Sequence, residues 1–424
     1  MEKIFALVDC NNFYPSCEMV FDLTLRGRPV IVLSNNDGRV IARSNEAKAL
    51  GFKMGDAAFM MWDLIKAHNV VVLSSNYALY FDFRDRVREV LGQFTPRLEK
   101  YSIDECFLDL TGMNPEELDD YGRRIKEKVE RWTGIPVSVG IAATKCLAKL
   151  ANKVAKKTKS LKGVLNIFKK PRHLERALEI SDVGDLWGVG EAYEGMLKSN
   201  GINTAKEFRD APDHWVRSRM TVVGARIQSE LKGLSCIGLE EIPPPQQEVG
   251  TAQGFGMPIE TLEELKEAAA NYASKEADKL RKLKQCVKEL VVWVQTNHFG
   301  RDPQYGKQAI IVFPVATNDP SIIIKKVVNA VEILYKTGYK FKRIGLRAIK
   351  LEPEDCVQNH LFINPDDTKR RSLLRVVDQL NEVNGAGTVR IASVVLDARW
   401  MARFSKQSPH YTTRAKDLPI ARVG

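Results

Sequence analysis

Short β-branched runs alternate with amphipathic stretches over the first 170 or so residues, and that alternation restricts this part of the chain to an α/β or α+β domain. Ile4 to Val8, Pro29 to Leu33 and Val70 to Leu73 have the length and composition of buried strands. Ser102 to Leu108 and Pro136 to Ile141 alternate with a period of two, and in the first of these Ile103, Glu105 and Phe107 share one face while Asp104, Cys106 and Leu108 share the other. Tyr80 to Leu91 and Pro115 to Trp132 have helical spacing, with Pro115 in a first turn. From about residue 182 to 235 the strand signal gives way to short helical segments punctuated by glycine. Pro243-Pro244-Pro245 then reads as a stiff linker. Beyond it, a helix (Leu262 to Leu283), two strands (Leu290 to Thr296, Ala309 to Val315), a helix (Ile322 to Thr337) and a strand (Arg343 to Leu351) predict a small α/β domain, followed by an acidic-to-polar loop (Glu352 to Asp367), a further helix and a polar tail. A length of 424 residues fits about three domains.

The chain carries 64 Lys plus Arg against 53 Asp plus Glu, a net +11, which favours an anionic partner; nucleic acid and acidic membrane both qualify. No run of 18 apolar residues is present, and the opening MEKIFALVDCNNF is too polar for a signal peptide, so a soluble, intracellular protein is expected. Seven scattered cysteines without a C-x-x-C pair predict free thiols rather than a disulfide or zinc scaffold.

Three carboxylates stand where a strand pattern would bury them. Asp9 closes the first apolar run, and Asp104-Glu105 lie within another strand pattern. Converging carboxylates repel unless a cation sits between them, and oxygen-only ligands suit Mg2+ or Mn2+. Taken singly, Asp9 reads as a turn or cap residue and Asp104-Glu105 as the polar tip of a hairpin. From Thr144 to Leu174 there is no acid, and Lys145, Lys149, Lys153 and Lys156 recur on one helix face suited to phosphate. A solvated basic face is the alternative. Gly188-Val189-Gly190 could let main-chain N–H groups approach a phosphate, or could close a plain helical hairpin. Phe13 and Tyr14 follow Asp9 closely enough to stack near it, or to be core.

Together these motifs resemble those of the Y-family DNA polymerases. Asp9-Cys10-Asn11-Asn12-Phe13-Tyr14 is similar to the family's opening motif, Tyr101-Ser102-Ile103-Asp104-Glu105 to its second acidic motif, and Val139-Gly140-Ile141-Ala142 through Lys156 to its third. Leu33 to Gly38 and Ile41 to Lys48 narrow the likeness to the UmuC-type subunits of bacterial polymerase V, across the whole chain. The resemblance implies a multidomain α+β right hand with a C-terminal α/β little finger. The palm spans 1–170 with fingers inserted at about 22–80, the thumb with its helix-hairpin-helix 171–240, the little finger 245–352, and a C-terminal extension 353–424. It implies error-prone translesion synthesis in the SOS response, with two Mg2+ ions (Mn2+ as substitute) held by Asp9, Asp104, Glu105 and the Cys10 carbonyl. Tyr14 would exclude a 2′-hydroxyl beside Phe13, and Asn45, Lys48 and Lys156 would meet the triphosphate. Many relatives carry Tyr and Arg in place of Asn45 and Lys48. DNA would meet Lys145, Lys149, Lys153, Gly188 and Gly190, and Gln358, Leu361 and Phe362 resemble a sliding-clamp peptide. The implied partners are primer-template DNA, dNTP, a cleaved UmuD-type dimer, a RecA filament and the clamp, with no membrane and a cytoplasmic, nucleoid-associated location. A nucleotidyl cyclase-like or phosphohydrolase palm and a non-catalytic DNA-binding subunit are the competing classes.

Overall fold

The computed structural model describes residues 2–242, 244–358, 368–385 and 387–420. The chain forms two compact units: Met1–Ser34, Arg39–Pro243 and Lys406–Gly424 make the first, and Asn35–Gly38 with Pro244–Ser405 the second.

The first unit is built on a five-stranded sheet. Its strands are β1 (Phe5–Cys10), β5 (Leu98–Lys100), β6 (Glu105–Asp109), β7 (Val137–Ala142) and β8 (Val164–Asn166), in the order β5-β6-β1-β7-β8. β1 is central and antiparallel to both neighbours, so both of its faces are covered and its sequence is a continuous apolar run. Parity sorts its side chains. Ile4, Ala6, Val8 and Cys10 pack with α1 (Phe13–Phe21), α4 (Tyr77–Gly92) and α5 (Leu118–Thr133), while Phe5 and Leu7 pack with α6 (Lys145–Lys157). Gly140 sets how closely α6 lies on the sheet, since a Cβ there would stand 2.2 Å from the Asn152 amide nitrogen.

A second sheet of β2 (Val30–Leu33), β3 (Val40–Arg43) and β4 (Val71–Ser74) has the order β3-β2-β4, with α2 (Asn45–Ala49) and α3 (Trp62–Ala67) beside it. The glycine-punctuated stretch folds as α7 (Pro171–Ile180), α8 (Glu191–Ser199), α9 (Ala205–Asp210) and α10 (Asp213–Leu231). These helices share one hydrophobic core with α6, Phe5 and Leu7 rather than enclosing a core of their own.

The second unit is a four-stranded antiparallel sheet of β9 (Val249–Ile259), β10 (Gln285–Thr296), β11 (Gly306–Thr317) and β12 (Phe341–Pro353), ordered β11-β10-β12-β9. α11 (Leu262–Lys282) and α12 (Pro320–Leu334) cover one face, burying Leu290, Val292, Ile344 and Leu346. Arg343 and Arg347 lie at the alternate positions of β12 and are exposed. α13 (Thr368–Asn384) follows, and Trp400 is buried against Phe255 and Tyr272.

The C-terminal stretch departs from the polar tail expected. Its residues up to Ser405 belong to the second unit, and from Lys406 onward they belong to the first. Backbone hydrogen bonding and two aromatic anchors hold it, signals that a polar composition does not carry. All seven cysteines are free thiols. Among the described residues, no helix is long and apolar enough to cross a membrane.

Candidate active site

Because β1 and β6 run antiparallel with Asp9 opposite Glu105, the two carboxylates stand side by side on the α6 face of the sheet. Asp104 occupies the bend just before β6 rather than the strand itself, and its carbonyl accepts the Cys10 amide at 2.9 Å. Its carboxylate accepts from the Ser102 hydroxyl at 2.7 Å. Asp9, Asp104 and Glu105 therefore gather at one end of the β1–β6 pair, with the Cys10 main chain between them.

Burial pushes the Asp9 carboxyl up to about 6, against the pull of Lys156, and the charges of Glu105 and Asp104 push it the same way. α6 supplies the counter-charges: Lys156 Nζ lies 2.5 Å from Asp9, and Lys149 Nζ donates to both Glu105 oxygens at 2.9 and 3.0 Å. Among the described residues no three acidic, His or Cys side chains form a ready cage for an ion, and these lysines pair with two of the three carboxylates. The donor set nonetheless fits a hard divalent cation. It is all oxygen, it is partly desolvated, and its mutual repulsion is what such a cation relieves.

The Asp9 shift gives a pH dependence. Its folded value lies above the usual carboxylate value, so the proton is held until the pH rises through about 6, and the ionised form costs stability above that. Ionisation falls from about nine-tenths at pH 7 to about one-tenth at pH 5, so apparent Mg2+ affinity is expected to drop roughly tenfold over that interval. A Mg2+ titration of activity at each pH checks this.

The opening motif brings the nucleotide candidates to the same place. Asn12 adopts left-handed backbone geometry (φ 49°) before α1, and its side chain donates to Asn45 at 3.0 Å and accepts from Lys48 at 2.5 Å. Burial lowers the Lys48 pKa, and Arg43 and Lys156 lower it further while Asp9 opposes them. Lys48, Arg43 and Lys156 thus crowd near Asp9, a concentration of positive charge suited to a polyanion. Arg43 was not foreseen from the sequence. It belongs to β3, and its buried Nε has no hydrogen-bond partner among the described residues, a place a phosphate oxygen could take. Only its place two residues before Asn45 hinted at it.

Phe13 is buried, while Tyr14 is half-buried and lies flat on Tyr80 at 4.2 Å and 11°. Tyr77 meets the Tyr14 ring edge-on at 6.2 Å. Burial pushes the Tyr14 hydroxyl up to about 12, with Tyr77 next and Asp104 adding to it. Tyr80 is the second residue that sequence reasoning missed, because at helical spacing in α4 it reads as ordinary core.

The basic helix face needs correction. Lys145 is not available to DNA: it is 2% exposed and paired with Glu99, itself 4% exposed, and also donates to the Gly238 carbonyl at 2.9 Å. Lys149 is engaged by Glu105, and Lys153 by Asp185 at 2.5 Å. The acids are absent from the helix itself but arrive from β5, β6 and the turn before α8. Lys145→Ala would strand a buried carboxylate, so a loss of about 3 to 5 kcal/mol of stability is expected. Urea unfolding checks it; the account expects the salt slope of DNA binding to stay unchanged.

Gly188 (φ +85°) and Gly190, the residue capping α8, are exposed in the helical stretch and are not part of the carboxylate cluster. Ile227 would meet a Cβ on Gly188 at 2.6 Å. Gln358 is exposed after β12, and Leu361 and Phe362 lie outside the described residues.

Three family models match the chain: the impB/mucB/samB family over residues 8–153, the C-terminal domain of that family over residues 246–361, and a domain of unknown function (DUF4113) over residues 371–421. Protein ImpB of Salmonella typhimurium is 38% identical, with 99% of this chain and 100% of that one covered. Protein UmuC of Salmonella typhimurium strain LT2 is 39% identical over 98% and 99%. DNA polymerase IV 1 of Bacillus subtilis strain 168 is 25% identical over 92% of each chain. A solved Y-family DNA polymerase chimera superposes with a TM-score of 0.65 at 19% identity, covering 82% of this chain and 98% of its own, a likeness of fold.

Proposed function

The chain belongs to the impB/mucB/samB family of Y-family DNA polymerases, and from that premise we propose that Asp9, Asp104 and Glu105 are the carboxylates at which nucleotide addition takes place. The protein is a DNA-directed DNA polymerase of the UmuC type, carrying out error-prone translesion synthesis in the SOS response. It takes DNA and dNTP as substrates and depends on a divalent metal. The observation that carries the site assignment is the cross-strand pairing of Asp9 with Glu105 beside Asp104, under three crowded cations.

In this reading the two Asp side chains, Glu105 and the Cys10 carbonyl hold two Mg2+ ions, with Mn2+ an acceptable substitute. When bound, these supply charge neutralisation at the α-phosphate and activation of the primer 3′-hydroxyl. The chain's own residues do the rest. Lys156, freed from Asp9, joins Lys48, Arg43 and Asn45 on the triphosphate, orienting the α-phosphate for in-line attack. Tyr14, backed by Tyr80, closes the space that a 2′-hydroxyl would occupy. Lys153 in the palm, Gly188 and Gly190 in the thumb, and Arg343 and Arg347 on the open sheet face of the little finger are DNA-backbone contacts in the same reading. The palm, fingers, thumb and little finger then correspond to 1–170 (fingers about 22–80), 171–240 and 245–352. A UmuD-type dimer, a RecA filament and a sliding clamp at Gln358, Leu361 and Phe362 are its partners in the cytoplasm, at the nucleoid.

Primer extension with Mg2+ on templates with and without an abasic site, with and without those partners, tests the reading. Template-directed product is expected. Product that ignores the template, or none under any combination, would overturn it.

A further inference from the structure

Four aliphatic side chains of α13 stand in the open. Leu373, Val376, Leu380 and Val383 are 61, 50, 43 and 83% exposed. Their spacing of three, four and three residues sets them in one row along the helix surface, about 15 Å long. A lone exposed aliphatic residue is ordinary, whereas a continuous row on one helix marks an interaction surface.

The remaining contacts of α13 show why the row faces outward. Arg281 of α11 donates from Nε and Nη2 to the two Asp378 carboxylate oxygens, each at 2.8 Å, and Arg370 donates at 3.1 Å to Asp319, the cap of α12. Asn381 exchanges two hydrogen bonds with the Val389 main chain, at 2.9 and 2.8 Å. Leu374, Val377, Asp378 and Asn381 form the half-buried side. Among the described residues, none of α13 joins the core beneath α11 and α12, although Ile391, Val395, Ala398 and Met401 pack against it. Polar contacts therefore fasten the helix from one side and leave its apolar row on the other.

The row and its edges define what fits it. Three-four-three is the a-d-a-d spacing by which two helices pack side by side, with Leu373 and Leu380 at one position and Val376 and Val383 at the other. The charges of α13 divide by sign along its length: Lys369, Arg370, Arg371 and Arg375 come first, and Asp378 and Glu382 follow. Two copies laid antiparallel about a two-fold axis set the basic half of each beside the acidic half of the other and align their helix dipoles favourably, whereas a parallel pair sets like against like. Arg375 and Glu382 are both exposed and, at nearly two turns apart, lie along the same edge of the row. A two-fold axis midway along the row brings Arg375 of each copy beside the partner's Glu382.

We propose that this row is the interface of a weak antiparallel dimer of the chain, packed through Leu373, Val376, Leu380 and Val383 and flanked by two Arg375–Glu382 pairs. A standard interface takes about 20 to 30 residues a side, so one helix face gives reversible association, with a Kd on the order of 10 to 100 µM. The pairing does not depend on the assignment of the carboxylate site.

Sedimentation equilibrium of the full chain without DNA, from about 1 to about 200 µM, tests it by spanning that Kd. The average mass is expected to rise from monomer toward dimer. Val376→Glu, at an exposed position, should leave the melting temperature and primer extension unchanged and weaken the dimer by about tenfold or more. Arg375→Glu and Glu382→Arg each set like charges together and should weaken it about fivefold, while the double variant restores the pairs in reverse and should return the Kd to within about twofold of wild type. A monomer at every concentration overturns the proposal, and so does a dimer indifferent to Val376→Glu or one that the double variant does not restore. A monomeric chain that loses binding to the UmuD-type dimer, the RecA filament or the clamp on Val376→Glu also overturns it, and gives the row to that partner instead.

Discussion

Asp104→Asn is expected to slow nucleotide addition by about a thousandfold while primer-template binding stays within a factor of two or so. Losing one carboxylate from a two-metal site removes several kcal/mol of transition-state stabilisation, and about 4 kcal/mol corresponds to a thousandfold in rate. Asp104 is the cleanest of the three acids to change. Lys156 depends on Asp9 and Lys149 on Glu105, whereas among the described residues the Asp104 carboxylate accepts only from the Ser102 hydroxyl. Its replacement therefore strands no cation, and asparagine keeps the shape and can still accept that hydroxyl. Single-turnover extension gives the rate and fluorescence anisotropy of labelled DNA gives the binding. Equal losses in both would point to misfolding rather than to lost metal ligation.

Tyr14→Ala is expected to raise ribonucleotide use relative to deoxyribonucleotide use by roughly a hundredfold, the upper range for discrimination by shape in an apolar pocket. The ring is held from two sides, flat against Tyr80 and edge-on to Tyr77, so it cannot yield to an extra hydroxyl without disturbing α4. Tyr14→Phe keeps that ring and should leave the ratio near the wild-type value. Competition between labelled rNTP and dNTP on one primer reads both variants. A large change in Tyr14→Phe would shift the selectivity from the ring to the hydroxyl.

What could be read from the sequence follows the physics of burial. β1 and β2 are covered on both faces, so Phe5 to Val8 and Val30 to Leu33 show as apolar runs, while β7 shows as an alternation because Ser138 and Gly140 interrupt its apolar residues. β9 was missed because Gly250, Gly254 and Gly256 dilute its strand pattern, and β3, β5 and β8 are too short to stand out. α6 was legible as a helix, but its charge state was not. Helical spacing reports acids three or four residues away, whereas Glu99 meets Lys145 from 46 positions off and Lys149 meets Glu105 from 44. Of the candidate site, Asp9, Asp104, Glu105 and Lys156 stand out from strand and charge patterns, Tyr14, Asn45 and Lys48 take their roles from motif resemblance, and the structure groups them around the end of β1. Arg43 and Tyr80 were not found, since one shows itself through an unsatisfied buried nitrogen and the other through a stacked ring. The C-terminal segment was illegible for a similar reason: main-chain hydrogen bonds to β4 leave no mark on composition.

The most direct measurement is Mn2+ binding followed by electron paramagnetic resonance, with the chain bound to a chain-terminated primer-template and the matching dNTP. The account predicts two bound ions per chain, magnetically coupled because they sit about 4 Å apart, and loss of that coupled pair in Asp104→Asn. A wild-type complex that binds DNA and nucleotide without a coupled pair, or an Asp104→Asn complex that retains it, would contradict the assignment of Asp9, Asp104 and Glu105 as the polymerising centre.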